Sequence, residues 1–334
     1  MTLQERVARL TARFPFTARQ AHFVALVALI GGYCLRRQYV TFAGIELGEN
    51  ARKFLDGLVA QHWADRARPC RNRGFLYHVK ARPIYDALDL ANNRNRRTVS
   101  APQQARRVML LDFAIAHPTA TWFAAEDDKV GLFVAEQHVA LRALPSRVYH
   151  GAIGTATTRR FVAKWPIFQI PGDARICFVT LGLETSGRTI ARFLSDHAAL
   201  FRELDAWEVV VAYPPVFEAG VDAWRAAFAA HHFTAPVRLC AADAQALSAY
   251  FRVRHALEGG VAGTITIDRV HEERRRRFAG SAYDALYRFW CAHGGPQRPD
   301  YAPPDFGQWR PAGTFSTYRL PHSYDLFGRY PGVV

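Results

Sequence analysis

Three polar residues that can recognise an anion or a base edge crowd into one helical turn: Asn50, Arg52 and Lys53. They open the segment Asn50–His62, whose apolar residues Phe54, Leu55, Leu58 and Val59 fall on a single helical face. An amide offers a paired donor and acceptor, a guanidinium a planar fork of donors, and an ammonium a compact charge. Four more arginines follow at Arg66, Arg68, Arg71 and Arg73, around the turn signal Arg71-Asn72-Arg73-Gly74. Arg36, Arg37 and Gln38 stand at the start of the preceding segment. None of these ten side chains is an acid, so the chemistry they offer is the binding of a polyanion rather than bond cleavage.

The elements that must carry them are legible. Leu3, Val7 and Leu10 have helical spacing within Thr2–Phe14. Thr17 with Gln20 forms a capping box for an apolar helix over 18–30, which stops at Gly31-Gly32. A short helix fits Leu35–Phe42, ending at Gly44, and a third fits Asn50–His62. Residues 64–70 and Phe75–Val79 read as a hairpin, Pro83–Leu90 as a closing helix and Asn92–Arg97 as a polar linker. Three helices followed by a hairpin is the order of a winged helix-turn-helix, with Asn50–His62 as the helix that enters the major groove and the hairpin arginines placed against phosphates or a narrow minor groove.

Beyond Ser100, which with Gln103 suggests a second capping box, strands and helices alternate. Arg160–Ile170, Arg175–Leu181, Glu208–Ala212, Val237–Cys240 and Thr264–Ile267 suit strands. Helices fit from Ser100 to about His117, then Thr189–Leu204, Val221–His231, Ala242–His255 and Val270–Trp290. That pattern predicts an α/β layer. Residues 293–334 hold seven of the 18 prolines and eight aromatic residues without helical period, and are expected to form an extended tail docked on the body or a partner subunit. The predicted organisation is therefore multi-domain α/β: a DNA-binding domain at 1–97, an α/β domain at 98–292 and the tail at 293–334.

Two constellations compete for a catalytic role. Gly182–Thr189 spells G-x4-G-R-T between a strand and a helix, the setting of a phosphate loop, but Arg188 stands where a lysine is required, and the later strand ends without a magnesium-binding aspartate. Asp173, Glu184 and Lys164 are the groups from which a metal-dependent nuclease would have to be built, yet no D/E-x-K triplet lies on a central strand. No cofactor or metal is expected. Glu272-Glu273 followed by Arg274–Arg277 reads as a solvated helix face.

Charge supports the binding reading. The chain of 334 residues carries a formal net charge of +14, and residues 1–107, with 19 basic and 7 acidic side chains, account for +12 of it. Such asymmetry favours a polyanionic partner for the first third. The uncharged stretch Ala21–Leu35 is shorter than the ~20 residues a bilayer span needs, so no membrane partner is expected and the location is read as cytoplasmic, associated with the nucleoid. Five cysteines (Cys34, Cys70, Cys177, Cys240 and Cys291), without a CxxC, predict free thiols.

Leu35-Arg-Arg-Gln-Tyr39, the helix Arg52–His62 and the hairpin end Leu76-Tyr-His-Val79 resemble the replication-relaxation-like winged-helix group of bacterial plasmids and integrative elements, over residues 15–215. The resemblance implies a winged helix followed by an α/β domain similar to a degenerate nuclease fold. It also implies a role in the replication, transfer or regulation of a mobile genetic element. Where such domains carry acids after the first central strand, this chain has Leu181, Gly182 and Leu183. The expectation is a non-catalytic, sequence-specific binder of double-stranded DNA, acting as replication initiator, accessory factor or transcription regulator, with a homodimer or an element-encoded protein as possible further partner. The alternatives are a DNA-processing nuclease of a transposition or defence system, and a protein-interaction module for an acidic partner.

Overall fold

Thr17 starts a deeply buried helix: its side chain accepts a hydrogen bond from the Gln20 amide, and its own backbone amide donates to Gln20 Oε1. In this computed structural model the described residues are 1–68, 74–150, 156–162, 165–231, 241–259, 269–278, 283, 286–287, 290–291, 295 and 313–324. Within them the N-terminal part runs α1 (Leu3–Arg13), α2 (Ala18–Ile30), β1 (Tyr33–Leu35), α3 (Arg36–Ala43), α4 (Glu49–Ala60), β2 (Ala64–Ala67), β3 (Leu76–Val79) and α5 (Arg82–Ala87). β1, β3 and β2 form an antiparallel three-stranded sheet in that spatial order, with Tyr33 opposite His78 and Asp65 opposite His78 from the other side. β1 is absent from the sequence reading, because three residues between Gly32 and a helix are too few to display a period.

The chain then enters α6 (Ala101–Ile115). Ser100 is its N-cap, but its side chain makes no capping hydrogen bond, so the second capping box does not form. The segment 92–97, expected as a polar linker, is exposed at Asn92, Arg94 and Arg97 but anchored at Asn95. Asn95 is buried and donates from Nδ2 to the carbonyls of Ala28 and Leu29 at 3.0 and 3.1 Å, while its own carbonyl accepts from His78 Nε2 at 2.9 Å. Gly32, at φ +80°, sits so close that a Cβ there would lie 2.6 Å from the Asn95 oxygen. A buried amide with its polar atoms matched in this way fixes the entry to α6.

Beyond α6 lie β4 (Thr121–Phe123), α7 (Glu126–Val130), β5 (Ser146–His150), β6 (Ala156–Arg160), β7 (Ile167–Gln169), β8 (Ile176–Leu181), α8 (Arg188–Asp196), α9 (Ala198–Phe201), β9 (Trp207–Tyr213), α10 (Val221–Ala229), α11 (Ala241–Glu258), α12 (Arg269–Arg277) and β10 (Gly313–Arg319). The molecule is thus mixed α/β with open sheets. Five strands form one sheet in the order β10-β9-β8-β7-β4, parallel across β10, β9 and β8 and antiparallel beyond. Alternate residues of β8 and β9 serve two cores. Cys177, Val179, Leu181, Val210 and Ala212 join the apolar cluster that contains α2 and α6, and Ile176, Phe178, Val209 and Val211 join the cluster of α8, α9 and α10. Burial on both faces explains why these strands read as unbroken apolar runs.

Several sequence expectations shift. The strand expected over Arg160–Ile170 with a break at Pro166 is found as two ends: Arg160 closes β6, and β7 begins at Ile167, directly after Pro166, which cannot donate to a ladder. The expected helix Thr189–Leu204 breaks at His197 into α8 and α9. Val237–Cys240, Thr264–Ile267 and most of the tail lie outside the described residues. The part of the tail that is described is a strand: all seven residues of β10 pair in parallel with β9, from Gly313 opposite Trp207 to Arg319 opposite Tyr213. Phe315 then packs on Phe228 and Tyr318 on Phe113. After β10 the chain returns to α6, where the Tyr324 hydroxyl donates to Asp112 Oδ2 at 2.6 Å.

Candidate nucleic-acid interface

α4 owes its exposed face to the turn before it. Gly44 ends α3 in the left-handed region (φ +61°), its amide donating to the Thr41 carbonyl at 3.3 Å and the Ile45 amide to the Val40 carbonyl at 3.2 Å. The chain reverses through residues 45–48 and restarts at Gly48. Ala51, Phe54, Leu55 and Leu58 are buried, with Phe54 against Tyr39 at 4.5 Å between ring centroids. That spacing leaves Asn50, Arg52 and Lys53 exposed on the first turns, as the sequence reading requires. The Arg52 guanidinium donates to Glu49 Oε1 at 2.7 Å, a hydrogen bond that holds the Glu49 carboxyl below its usual range and raises Arg52. Both partners are more than half exposed, and such a pair contributes little and exchanges readily for another anion.

Beside α4 stands the β2–β3 hairpin. Arg66 pairs with Asp56 of α4 at 3.0 Å and lies over the Phe75 ring at 4.5 Å; Arg68 lies over the same ring at 5.3 Å and is exposed. Arg71 and Arg73, the turn residues of the sequence prediction, are outside the described residues. Arg36 is half-buried at the first turn of α3. A shallow depression of about 360 Å³ adjoins α4, lined by Phe16, Gln20, Lys53, Phe54, Gln61 and Trp63 among others.

Two predicted contacts face inward. Gln38 is fully buried: Oε1 accepts from the Leu35 amide at 2.9 Å and Nε2 donates to the Val108 carbonyl at 2.8 Å. Arg37 donates from both terminal nitrogens to both oxygens of Asp112 at 2.8 Å, and Tyr324 closes over the same carboxylate. These side chains bind α3 to α6, and neither is placed to reach a nucleic acid. Two other basic residues of the first third are likewise turned inward, whereas Arg9, Arg13, Arg19, Arg82, Arg94, Arg97 and Arg106 are exposed. Arg6, 3% exposed, pairs with Asp128, and the Arg107 guanidinium donates to the Gly31 carbonyl at 2.8 Å. The outer face of α4 is itself balanced, with Glu49 and Asp56 against Arg52 and Lys53.

The competing constellations are also occupied from within. In the Gly182–Thr189 loop the Glu184 carboxylate accepts from the Ser186 amide at 2.7 Å, from the Ser186 hydroxyl and from the Thr189 amide at 3.1 Å. Burial works to raise that carboxyl, and these hydrogen bonds overcome it and hold the group below its usual value. A phosphate at the start of α8 would have to displace a resident anion. The Glu184 carbonyl in turn accepts from the Trp224 indole at 2.9 Å, and a Cβ on Gly182 would lie 2.5 Å from that ring. These glycines therefore serve packing. Asp173 is held low by hydrogen bonds from Arg175. Lys164 is outside the described residues, and among the described residues no three His, Cys, Asp or Glu side chains gather as a metal site. Among them, too, no helix is long and apolar enough to cross a membrane. Cys34 and Cys177 are buried free thiols, each pushed up to about 12 chiefly by burial.

The sequence reading misses one basic element, the β5–β6 pair, with Arg147 exposed and Arg159 half-buried. Its signal was present in the Thr-, Val- and Tyr-containing runs that flank Gly151-Ala152-Ile153-Gly154. In comparisons with family models, curated proteins and solved structures, nothing matches this chain.

Proposed function

We propose that the N-terminal part is a winged helix-turn-helix that binds double-stranded DNA with sequence preference, and that the protein acts without catalysis in the replication or regulation of a mobile genetic element. The mobile-element role rests on the family resemblance alone. One observation carries the binding reading: Asn50, Arg52 and Lys53 project from the first turns of a helix whose other face is buried, beside a hairpin whose Arg68 is exposed. The order α2, β1, α3, α4, β2, β3 supports it, since this arrangement offers one helix to a major groove and one hairpin to the flanking backbone. The side chains then divide the work. Asn50 and Arg52 read base edges; Lys53 and Arg68 neutralise phosphates.

The test is a salt titration of duplex binding by the full chain. Each phosphate contact contributes about −0.9 to the log–log slope, so the contacts of Lys53 and Arg68 alone give a slope of about −1.8 or steeper, and a flat response overturns the proposal. Arg52→Ala relaxes preference at one base pair, worth about 1–3 kcal/mol of discrimination, whereas Arg68→Ala weakens all duplexes alike.

A further inference from the structure

The β5–β6 ribbon has no stabilising role that accounts for it. All five residues of β5 and the first three of β6 are exposed, so the pair covers no core. A two-stranded hairpin is marginal in water by itself. Its root, however, is firmly mounted: the Phe161 amide donates to the Pro145 carbonyl at 2.8 Å, the Arg160 amide to Glu126 Oε1 at 2.7 Å, and the Phe161 ring stacks on Phe133.

Its charge is one-sided. Residues 141–162 contain Arg142, Arg147, Arg159 and Arg160 and no Asp or Glu. The register places Arg147 directly opposite Arg159, on the same face. Like charges in that position repel and destabilise a strand pair. Elsewhere this chain matches closely placed cations with acids, as in Arg6–Asp128, Arg37–Asp112 and Arg66–Asp56. Among the described residues neither Arg147 nor Arg159 has such a partner. Two residues along, on the same face, Tyr149 stands opposite Thr157 and adds two hydroxyl donors. Two guanidinium groups and two hydroxyls on one side of a preorganised ribbon form a receptor for the phosphates of a nucleic acid. A two-stranded ribbon also has the width a major groove admits.

We infer that β5–β6 is a second contact to duplex DNA, with Arg147 and Arg159 on its phosphates. The inference rests on the duplex-binding reading and extends it to a separate element. The test uses the full chain carrying Arg147→Ala with Arg159→Ala, beside wild type and Lys53→Ala, each titrated with salt against one duplex. Two lost contacts flatten the log–log slope by about 1.8. Ultraviolet crosslinking of the wild-type complex provides a measurement independent of folding: the tryptic peptide 148–159, which holds Tyr149, carries a nucleotide adduct. An unchanged slope without an adduct, while Lys53→Ala flattens its own slope, overturns the ribbon contact and leaves the α4 reading intact. A flat wild-type response overturns both. If the double variant instead converts a dimer to a monomer with the slope per protomer unchanged, the ribbon is a self-association edge and the inference falls.

Discussion

Arg37→Ala separates an arginine that holds the protein together from one that holds a ligand. The substitution removes two hydrogen bonds of 2.8 Å to the Asp112 carboxylate and leaves that group with the Tyr324 hydroxyl at 2.6 Å. Asp112 is 8% exposed, so its charge is abandoned in a place where water cannot replace the guanidinium. Deleting one partner of a buried pair costs roughly 3–5 kcal/mol. The Arg37 side chain is 28% exposed, which brings the expectation to the lower end, about 3 kcal/mol. For a chain of this size that is a fall of roughly 5 °C in melting temperature. Arg37→Met with Asp112→Asn removes both charges while the amide still accepts from Tyr324, and recovers most of the loss. Differential scanning calorimetry of the three proteins, with duplex affinity measured well below the transition, gives the answer. Arg37→Ala is expected to melt early and to keep the wild-type salt slope. A variant that melts with wild type but has a flatter slope refutes the reasoning, because Arg37 would then be spending its charge on DNA.

Two further outcomes follow from the same packing. Burial among Phe178, Phe193 and Phe201 depresses His197 to about 4 from an ordinary 6.5, so the unfolded chain takes up the proton first. Stability is full above pH 6.5 and falls by up to about 3 kcal/mol as pH drops toward 4; His197→Leu flattens that part of a urea-denaturation pH series, with a residual slope of the same sign from His78, which burial also lowers. An unchanged series in the variant contradicts a neutral, buried His197. Ending the chain after residue 312 removes β10 and bares the β9 edge along Trp207–Tyr213. Aggregation by light scattering is expected, and a monomeric truncation with wild-type melting rules out an essential β10.

What the sequence discloses, and what it hides, divides by the distance between partners. Thr17 and Gln20 lie three residues apart, and the helix they cap is read correctly from Ala18 to Ile30. β8 and β9 announce themselves because burial on both faces leaves mostly apolar side chains, Thr180 and Glu208 excepted. β10 is concealed because its partner strand lies about a hundred residues upstream, and as an edge strand it keeps the polar residues Thr314, Ser316 and Thr317 that a tail would also have. The arginines follow the same rule with more consequence for function. Counting charge gives +12 to the first third but cannot say which guanidinium groups reach solvent. Arg37 meets Asp112 75 residues away, and Arg6 meets Asp128 122 residues away. Once those pairs are closed, fewer of these cations reach solvent than the count implies; among the described residues Arg52, Lys53 and Arg68 remain exposed on and beside α4, and Arg147 on the ribbon. If one duplex meets both elements as proposed, the protein's binding depends on geometry as well as on charge. Its affinity should depend on whether one duplex can touch both, which is the physical reason to compare short duplexes with long ones in every assay above.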